Sequence, residues 1–161
     1  MLKRSFPPVV DARTRVLVLG SLPGEESLAR AQYYANPRNQ FWRLMEGVTG
    51  VPLVALPYQD RLDALLERGV GLWDTIASAT RTGSLDGAIR GHSGNDLAAL
   101  AETLPALRAV GFNGGKSAAL GMRQLGLRTD LALLPLPSSS PAYTLAFAQK
   151  LASWRRLAAF L

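Results

Sequence analysis

The chain has 161 residues, of which 48% are hydrophobic and 19% charged, so it can form one globular domain, residues 1–161, with a buried core. It contains no cysteine and only one histidine, His92, which excludes disulfides, thiolate ligands and multi-histidine metal sites; we expect neither a metal nor a cofactor. The net charge of +6 and the pI near 10.3 favour a polyanionic partner, although many basic proteins never bind nucleic acid.

The sequence also bears on targeting. No apolar run approaches the length of a membrane span, so no membrane association is expected. Residues 1–8 carry two charges but no apolar stretch follows them, which is unlike a signal peptide. We expect a cytoplasmic protein, and a monomer.

The first elements alternate between strand and helix signals. Arg15–Gly20 is a continuous apolar run that ends in glycine, which is typical of a buried parallel strand. A turn at 21–24 and a short helix at 25–31 follow, and another helix begins at Phe41 and ends near Gly47 or Gly50. Asp60 is a candidate cap for a third helix, and 70–77 is a candidate second strand.

The second half continues this alternation. Asn95 is a candidate N-cap for a helix over 97–104, 108–112 is a third strand, 116–125 a helix and 131–136 a fourth strand. The final helix is predicted to begin with Ser140 at the N-cap and Pro141 at N1. Its buried face is predicted from apolar residues at alternating steps of four and three, which are Phe147, Leu151, Trp154, Ala158 and Leu161.

This order predicts an α/β fold, a three-layer α/β/α sandwich around a mainly parallel four-stranded sheet. Ligands of such folds gather beyond the carboxyl ends of the strands, and three unusual segments fall there: 20–24, 32–42 and 136–144. Each has an ordinary explanation, because loops are rich in glycine and proline and aromatic residues usually form core. Their convergence on one sheet edge favours a functional site.

These segments resemble the motifs of a known family. They read Gly20-Ser21-x-Pro23-Gly24, Tyr33-Tyr34-Ala35-Asn36-Pro37-Arg38-Asn39-x-Phe41-Trp42 and Leu136-Pro137-Ser138-Ser139-Ser140-Pro141-Ala142. The pattern is similar to the uracil-DNA glycosylase superfamily, and most of all to its hypoxanthine-DNA glycosylase branch, family 6. Three further segments also resemble that branch, and these are Trp73-Asp74-x-Ile76-Ala77, Gly83-Ser84-Leu85-Asp86 and Phe112-Asn113-Gly114-Gly115-Lys116. The resemblance therefore extends from Val16 to Trp154.

The resemblance implies a monofunctional DNA glycosylase of base excision repair, which needs no cofactor. Its partner would be DNA containing a deaminated base, hypoxanthine or uracil, flipped out of the stack into a pocket. Gly20, Pro23 and Gly24 would shape the first motif loop, and Ser21 would bind the base. Tyr34 is the expected stacking platform, with Tyr33 either an alternative platform or a core residue.

Asn39 is the expected catalytic residue. Breaking the N-glycosidic bond builds positive charge on the sugar and negative charge on the departing base, and an amide oxygen can orient the attacking water. Related branches carry a water-activating Asp or Asn in the first loop, where this chain has Ser21 or Leu22. This difference makes Asn39 the stronger candidate for that role. The alternative is that Asn39 caps the helix beginning at Phe41.

The remaining candidates lie at the ends of the later strands. Asn113 would read the base edge, because an amide offers both a donor and an acceptor; alternatively it is a turn residue. Ser138, Ser139 and Ser140 stand where many members carry a histidine, so hydroxyls and helix-start N–H groups would stabilise the departing base or contact phosphate. Pro141 and Tyr143, with Ala142 between them, could wedge into the base stack, and His92 is predicted to be a loop residue.

Two other functions compete with this one. Gly114-Gly115-Lys116-Ser117 follows an apolar strand and resembles the end of a phosphate-binding loop. However, the position that such a loop requires as glycine is Val110, and Gly111 is one residue too close. The second alternative is a catalytically inactive relative that only binds DNA.

Overall fold

The computed structural model describes residues 1–161 and alternates strands with helices along the chain. In chain order the elements are β1 (Leu2–Arg4), β2 (Val16–Gly20), α1 (Glu25–Arg30), α2 (Phe41–Thr49), α3 (Tyr58–Glu67), β3 (Val70–Asp74), β4 (Ile76–Thr80), β5 (Arg90–Gly94), α4 (Leu97–Glu102), β6 (Ala109–Asn113), α5 (Gly115–Leu125), β7 (Ala132–Leu136) and α6 (Phe147–Trp154). Short 3₁₀ helices add Leu53–Ala55, Asp86–Ala88 and Arg155–Phe160.

The main sheet has four parallel strands in the order β3-β2-β6-β7. All five residues of β2 and of β6 are buried, as expected for central strands covered on both faces. In register, Gly20 at the end of β2 pairs with Asp74 at the end of β3. The carboxyl ends of all four strands therefore meet at one edge.

Helices cover both faces of this sheet, which gives three layers. Alternate residues of β2 point to opposite sides: Val16 and Val18 join a core cluster with residues of α2, α3 and α6, whereas Leu17 and Leu19 join a cluster with residues of α4 and α5. The predicted α/β fold with a four-stranded parallel sheet is confirmed. No helix is both long and apolar enough to cross a membrane.

The segment predicted as one strand over 70–77 is two strands in two sheets. β3 ends at Asp74, and β4 begins at Ile76 in a second, antiparallel sheet of order β1-β4-β5. The prediction missed this sheet because its edge strands are short and polar and lack an apolar alternation. His92, predicted to lie in a loop, is an exposed residue of β5.

The last helix begins later than predicted. Ser140 and Pro141 belong to a loop, and α6 starts at Phe147 with Ala146 at the N-cap position. The predicted buried stripe also fails at Ala158, which is exposed while Leu157 is buried. The chain is a 3₁₀ helix there, so buried residues recur every three positions.

Two predicted caps are also wrong by a few residues. Asp96 rather than Asn95 caps α4, since its side chain accepts a 3.0 Å hydrogen bond from Ala99 N. Pro57 occupies the N-cap position of α3, and Asp60 lies in the first turn. A carboxylate in the first turn still stabilises the helix, because its negative charge interacts favourably with the helix dipole.

Candidate active site at the carboxyl edge of the sheet

One cavity of about 760 Å³ opens at the carboxyl edge of the parallel sheet. Its size is that of a pocket for a small organic ligand. All the residues predicted for the site line it, and these are Gly20, Ser21, Pro23, Gly24, Tyr34, Asn39, Asn113, Ser138, Ser139, Ser140, Pro141 and Tyr143. The structure therefore brings the three predicted loops together, while the role of each residue stays a prediction.

Tyr34 forms part of the cavity wall and is supported from behind. Its ring lies flat on that of Phe41, with centroids 3.9 Å apart and planes 13° from parallel. Phe41 is fully buried and packs edge-on against Trp42 and Trp154. An aromatic ring held in this way cannot yield when a second ring stacks on it.

Tyr33 is a core residue, which was the alternative considered for it. It is 4% exposed, its hydroxyl donates to Pro7 O at 2.9 Å, and its backbone N–H donates to Tyr58 Oη. The adjacent Tyr34 has a φ of +54°, and this left-handed turn sends the two consecutive rings to different environments.

Asn39 lines the cavity two residues before Phe41. Its Oδ1 accepts the backbone N–H of Phe41 at 3.0 Å, so the side chain does satisfy a donor in the first turn of α2. Gln40 occupies the N-cap position itself. A carbonyl oxygen has two lone pairs, so this hydrogen bond fixes the amide while leaving an acceptor site for water.

Asn113 connects the end of β6 to the third loop. Its Oδ1 accepts Ser139 N at 2.9 Å, and its Nδ2 donates to Ser139 Oγ at 2.9 Å and to Tyr34 Oη at 3.3 Å. Both amide hydrogens are thus used within the protein, and the second lone pair of Oδ1 remains for a ligand. Asn113 holds the platform and the third loop in one arrangement.

The third loop is shaped by hydrogen bonds among its own serines. Ser138 Oγ accepts Ser140 N at 3.1 Å, and Ser140 Oγ accepts Ala142 N at 3.1 Å. Because α6 begins at Phe147, no helix N-terminus lies at Ser140, and the expectation that helix-start N–H groups act there is wrong. The tip of the loop is exposed, with Tyr143 at 48%.

Lys150 lies behind this loop, although it is not among the apolar residues predicted for the buried face of the last helix. Its side chain is buried, and Nζ donates to Gln40 Oε1 at 2.9 Å and to Ser140 O at 3.2 Å. Burial lowers the pKa of this ammonium group. Lys150 therefore ties the third loop to the segment that carries Asn39.

Three charged residues near the first loop were not predicted from the sequence to belong to the site. Asp74 and Asp86 line the cavity, and Ser21 Oγ donates to Asp86 Oδ1 at 2.6 Å. Arg81 is buried and donates to the backbone carbonyls of Leu22 and Pro23. The available signal was the position of Asp74 at the end of a buried strand.

The phosphate-binding loop alternative finds no support in the local geometry. Gly114 has a φ of +94°, and α5 begins at the very next residue, so no wide loop forms. The hydroxyl of Ser117 is fully buried and donates to Leu19 O at 2.6 Å. It is therefore not available to a metal ion or a phosphate.

Comparison with known proteins identifies the family. The family model described as "Uracil DNA glycosylase superfamily" matches residues 7–160. A hypoxanthine DNA glycosylase of Methanosarcina acetivorans is 42% identical over 144 residues, covering 88% of this chain and 89% of the relative. One from Methanosarcina barkeri is 38% identical over 156 residues, covering 96% of each.

A solved structure shows the same fold. It is the solution NMR structure of a Methanosarcina acetivorans protein provisionally named a uracil DNA glycosylase, with a TM-score of 0.85 and 38% identity. The match covers 98% of this chain and 96% of that one. The chain belongs to the uracil DNA glycosylase superfamily.

Proposed function

We propose that this DNA glycosylase hydrolyses the N-glycosidic bond of hypoxanthine flipped out of DNA, and that it acts in base excision repair. The observation that carries the proposal is the meeting of Tyr34, Asn39 and the third loop around one cavity of about 760 Å³. Both curated relatives bear the name hypoxanthine DNA glycosylase, which favours this base. Uracil is the second candidate, on the strength of the family model.

The cavity supplies what an extruded base requires. Extrusion removes the stacking neighbours of the base, and an aromatic face restores about 1–3 kcal/mol of that interaction. Tyr34, supported by Phe41, provides such a face. In this proposal Pro141 and Tyr143 fill the vacated stack, and their exposure at the tip of the third loop supports that role.

Asn39 orients the attacking water in this mechanism. Its amide is held by Phe41 N, so the acceptor site is fixed and requires no reorganisation during the reaction. A neutral amide takes up a proton poorly, and the base must therefore leave with little help from the nucleophile. The residues lining the cavity include no lysine, in keeping with hydrolysis by water rather than attack by an amine.

Substitution of Asn39 tests the enzymatic function. We expect Asn39→Ala to lower excision by about a hundredfold or more while the affinity for DNA stays within a few-fold of wild type. Matched oligonucleotides containing hypoxanthine, uracil or xanthine, cleaved with alkali after incubation, give the rate for each base. Binding is measured on the same oligonucleotides.

Three results would contradict the proposal. Wild-type protein that releases none of the three bases would leave only a DNA-binding relative. An Asn39→Ala variant with the wild-type rate would remove Asn39 from the mechanism. A covalent adduct trapped by borohydride, for example through Lys116, would replace water with an amine nucleophile.

A further inference from the structure

Asp74 is a buried carboxyl in the wall of the cavity. It is 4% exposed, and its Oδ2 has no hydrogen-bond partner in the protein. The strand pairing places it beside Gly20, where a Cβ would lie 2.6 Å from Asp74 Oδ1 and 3.0 Å from Tyr34 Oη. The chain thus keeps a glycine where any side chain would displace this carboxyl.

A buried polar group without a partner costs folding free energy, so its presence in a cavity wall points to a partner that arrives with the ligand. Asp86, another acid in the cavity wall, already accepts a hydrogen bond from the hydroxyl of Ser21. Arg81 binds backbone carbonyls of the first loop and makes no hydrogen bond to Asp74.

The groups around Asp74 favour its protonated form. Burial and the negative charge of Asp86 raise the pKa of Asp74 to about 7, against an opposing effect of Arg81. The other titratable groups near it are Tyr33 and Tyr34, whose own pKa values are raised by burial, so both are neutral. Near neutral pH the carboxyl can therefore carry a transferable proton.

The reaction lacks an assigned group for the departing base. The third loop has serines instead of a histidine. The hydroxyl oxygens of Ser138, Ser139 and Ser140 accept hydrogen bonds within the protein, so each can still donate its O–H, but an aliphatic hydroxyl is too weak an acid to transfer a proton near neutral pH. A purine differs from uracil in carrying an imidazole nitrogen, N7, that can accept a proton and improve the leaving group. A general acid in the wall of the cavity would protonate N7.

We propose that the protonated carboxyl of Asp74 donates its proton to N7 of a purine base held in the cavity as the C1′–N9 bond breaks. The electron pair of that bond stays on the base, which leaves as neutral hypoxanthine. The oxygen of the water held by Asn39 bonds to C1′, its surplus proton passes to solvent, and solvent reprotonates Asp74. This inference rests on the proposed purine glycosylase function.

The pH dependence of excision tests the role of Asp74. Single-turnover rates on a deoxyinosine oligonucleotide are measured from about pH 5 to about pH 9 for the wild type, Asp74→Asn and Asp86→Asn. For the wild type we expect a plateau at low pH and a roughly tenfold fall per pH unit above about 7. For Asp74→Asn we expect a flat profile, about a hundredfold or more below the wild-type plateau.

Asp86→Asn is the matched control. It removes a negative charge that raises the pKa of Asp74, so we expect the fall in rate to persist but to begin at lower pH.

Thermal unfolding shows whether Asp74→Asn folds. Because the pKa of Asp74 is raised on folding, wild-type stability falls as the pH rises from about 4 to about 7, and the variant should be at least as stable as wild type at higher pH.

A substrate change tests the same proton transfer without any mutation. An oligonucleotide containing 7-deaza-2′-deoxyinosine has carbon in place of N7, and we expect wild-type protein to excise this base about a hundredfold more slowly, or not detectably, at low pH. Excision as fast as that of hypoxanthine would overturn the proposal. So would a wild-type rate that rises through pH 7, as for a carboxylate base, or an Asp74→Asn variant that keeps the wild-type profile. No release of hypoxanthine at any pH would instead refute the proposed purine glycosylase function on which this inference rests.

Discussion

At the scale of single residues, the site depends on side chains that make structural contacts and also line the cavity. Asn39 holds the first turn of α2 through Phe41 N, and Asn113 holds Ser139 by two hydrogen bonds. The sequence predicted that both amides lie at the site, and it offered the start of the helix at Phe41 as a structural partner of Asn39. It could not reveal the partners of Asn113, because Ser139 is 26 residues away in the chain and Tyr34 is 79 residues away.

Tyr34 provides a prediction at this scale. Tyr34→Ala removes the ring that lies on Phe41, and we expect it to weaken binding of the extruded base by about 1–3 kcal/mol. Tyr34→Phe keeps the ring and loses only the 3.3 Å contact with Asn113, so we expect a change of less than about 1 kcal/mol. Single-turnover titration of a deoxyinosine oligonucleotide measures both.

The comparison separates stacking from hydrogen bonding. If the Phe variant loses as much affinity as the Ala variant, the hydroxyl rather than the ring carries the interaction. Equal affinity of all three proteins would remove Tyr34 as the platform.

At the scale of elements, the sequence predicted best where one buried face dominates. The run ending at Gly20 and the helix ending at Leu125 were placed within a residue or two, because burial on the sheet dictates their apolar pattern. The start of the last helix was wrong by several residues. Ser140-Pro141 is a favourable helix start locally, yet the hydrogen bonds of the serine loop and Lys150 hold this segment as a loop.

The packing of α5 on β6 gives a prediction at the element scale. A Cβ at Gly121 would overlap the ring of Phe112, which is fully buried. We expect Gly121→Ala to lower the free energy of unfolding by about 1–3 kcal/mol, since the ring has no space to move. Urea unfolding followed by circular dichroism measures this change.

Gly115, in the first turn of the same helix, is the matched control. Nothing lies within 4 Å of a Cβ there, so Gly115→Ala should be neutral or stabilising by up to about 1 kcal/mol. Destabilisation by Gly115→Ala equal to that by Gly121→Ala would show that close packing against Phe112 is not the cause.

At the scale of the whole molecule, the parallel sheet brings the motif loops together. Residues 20–24, 32–42 and 136–144 converge because parallel strands end at the same edge. The net charge of +6 also acts at this scale, since it attracts DNA of any sequence. Charge alone does not locate the contact surface.

Salt dependence tests one candidate contact with DNA. Arg38 is exposed and lines the cavity beside Asn39, so we expect Arg38→Ala to weaken DNA binding and to lower the slope of log K against log salt by about 1. Arg13 is exposed too, but it pairs with Asp11 before β2, at the opposite end of the strand from the cavity. Arg13→Ala should leave the slope unchanged, and an equal effect of both variants would argue for binding by net charge alone.

The sequence by itself determined the strand–helix alternation, the three motif loops and the family, because apolar periodicity and dense local motifs are short-range properties. Only the tertiary structure decided what depends on distant residues. It split the segment 70–77 between two sheets, placed Lys150 behind the third loop and buried the carboxyl of Asp74 beside Gly20. The burial of these side chains and their hydrogen-bond partners are set by packing between elements, so no local sequence pattern could predict them.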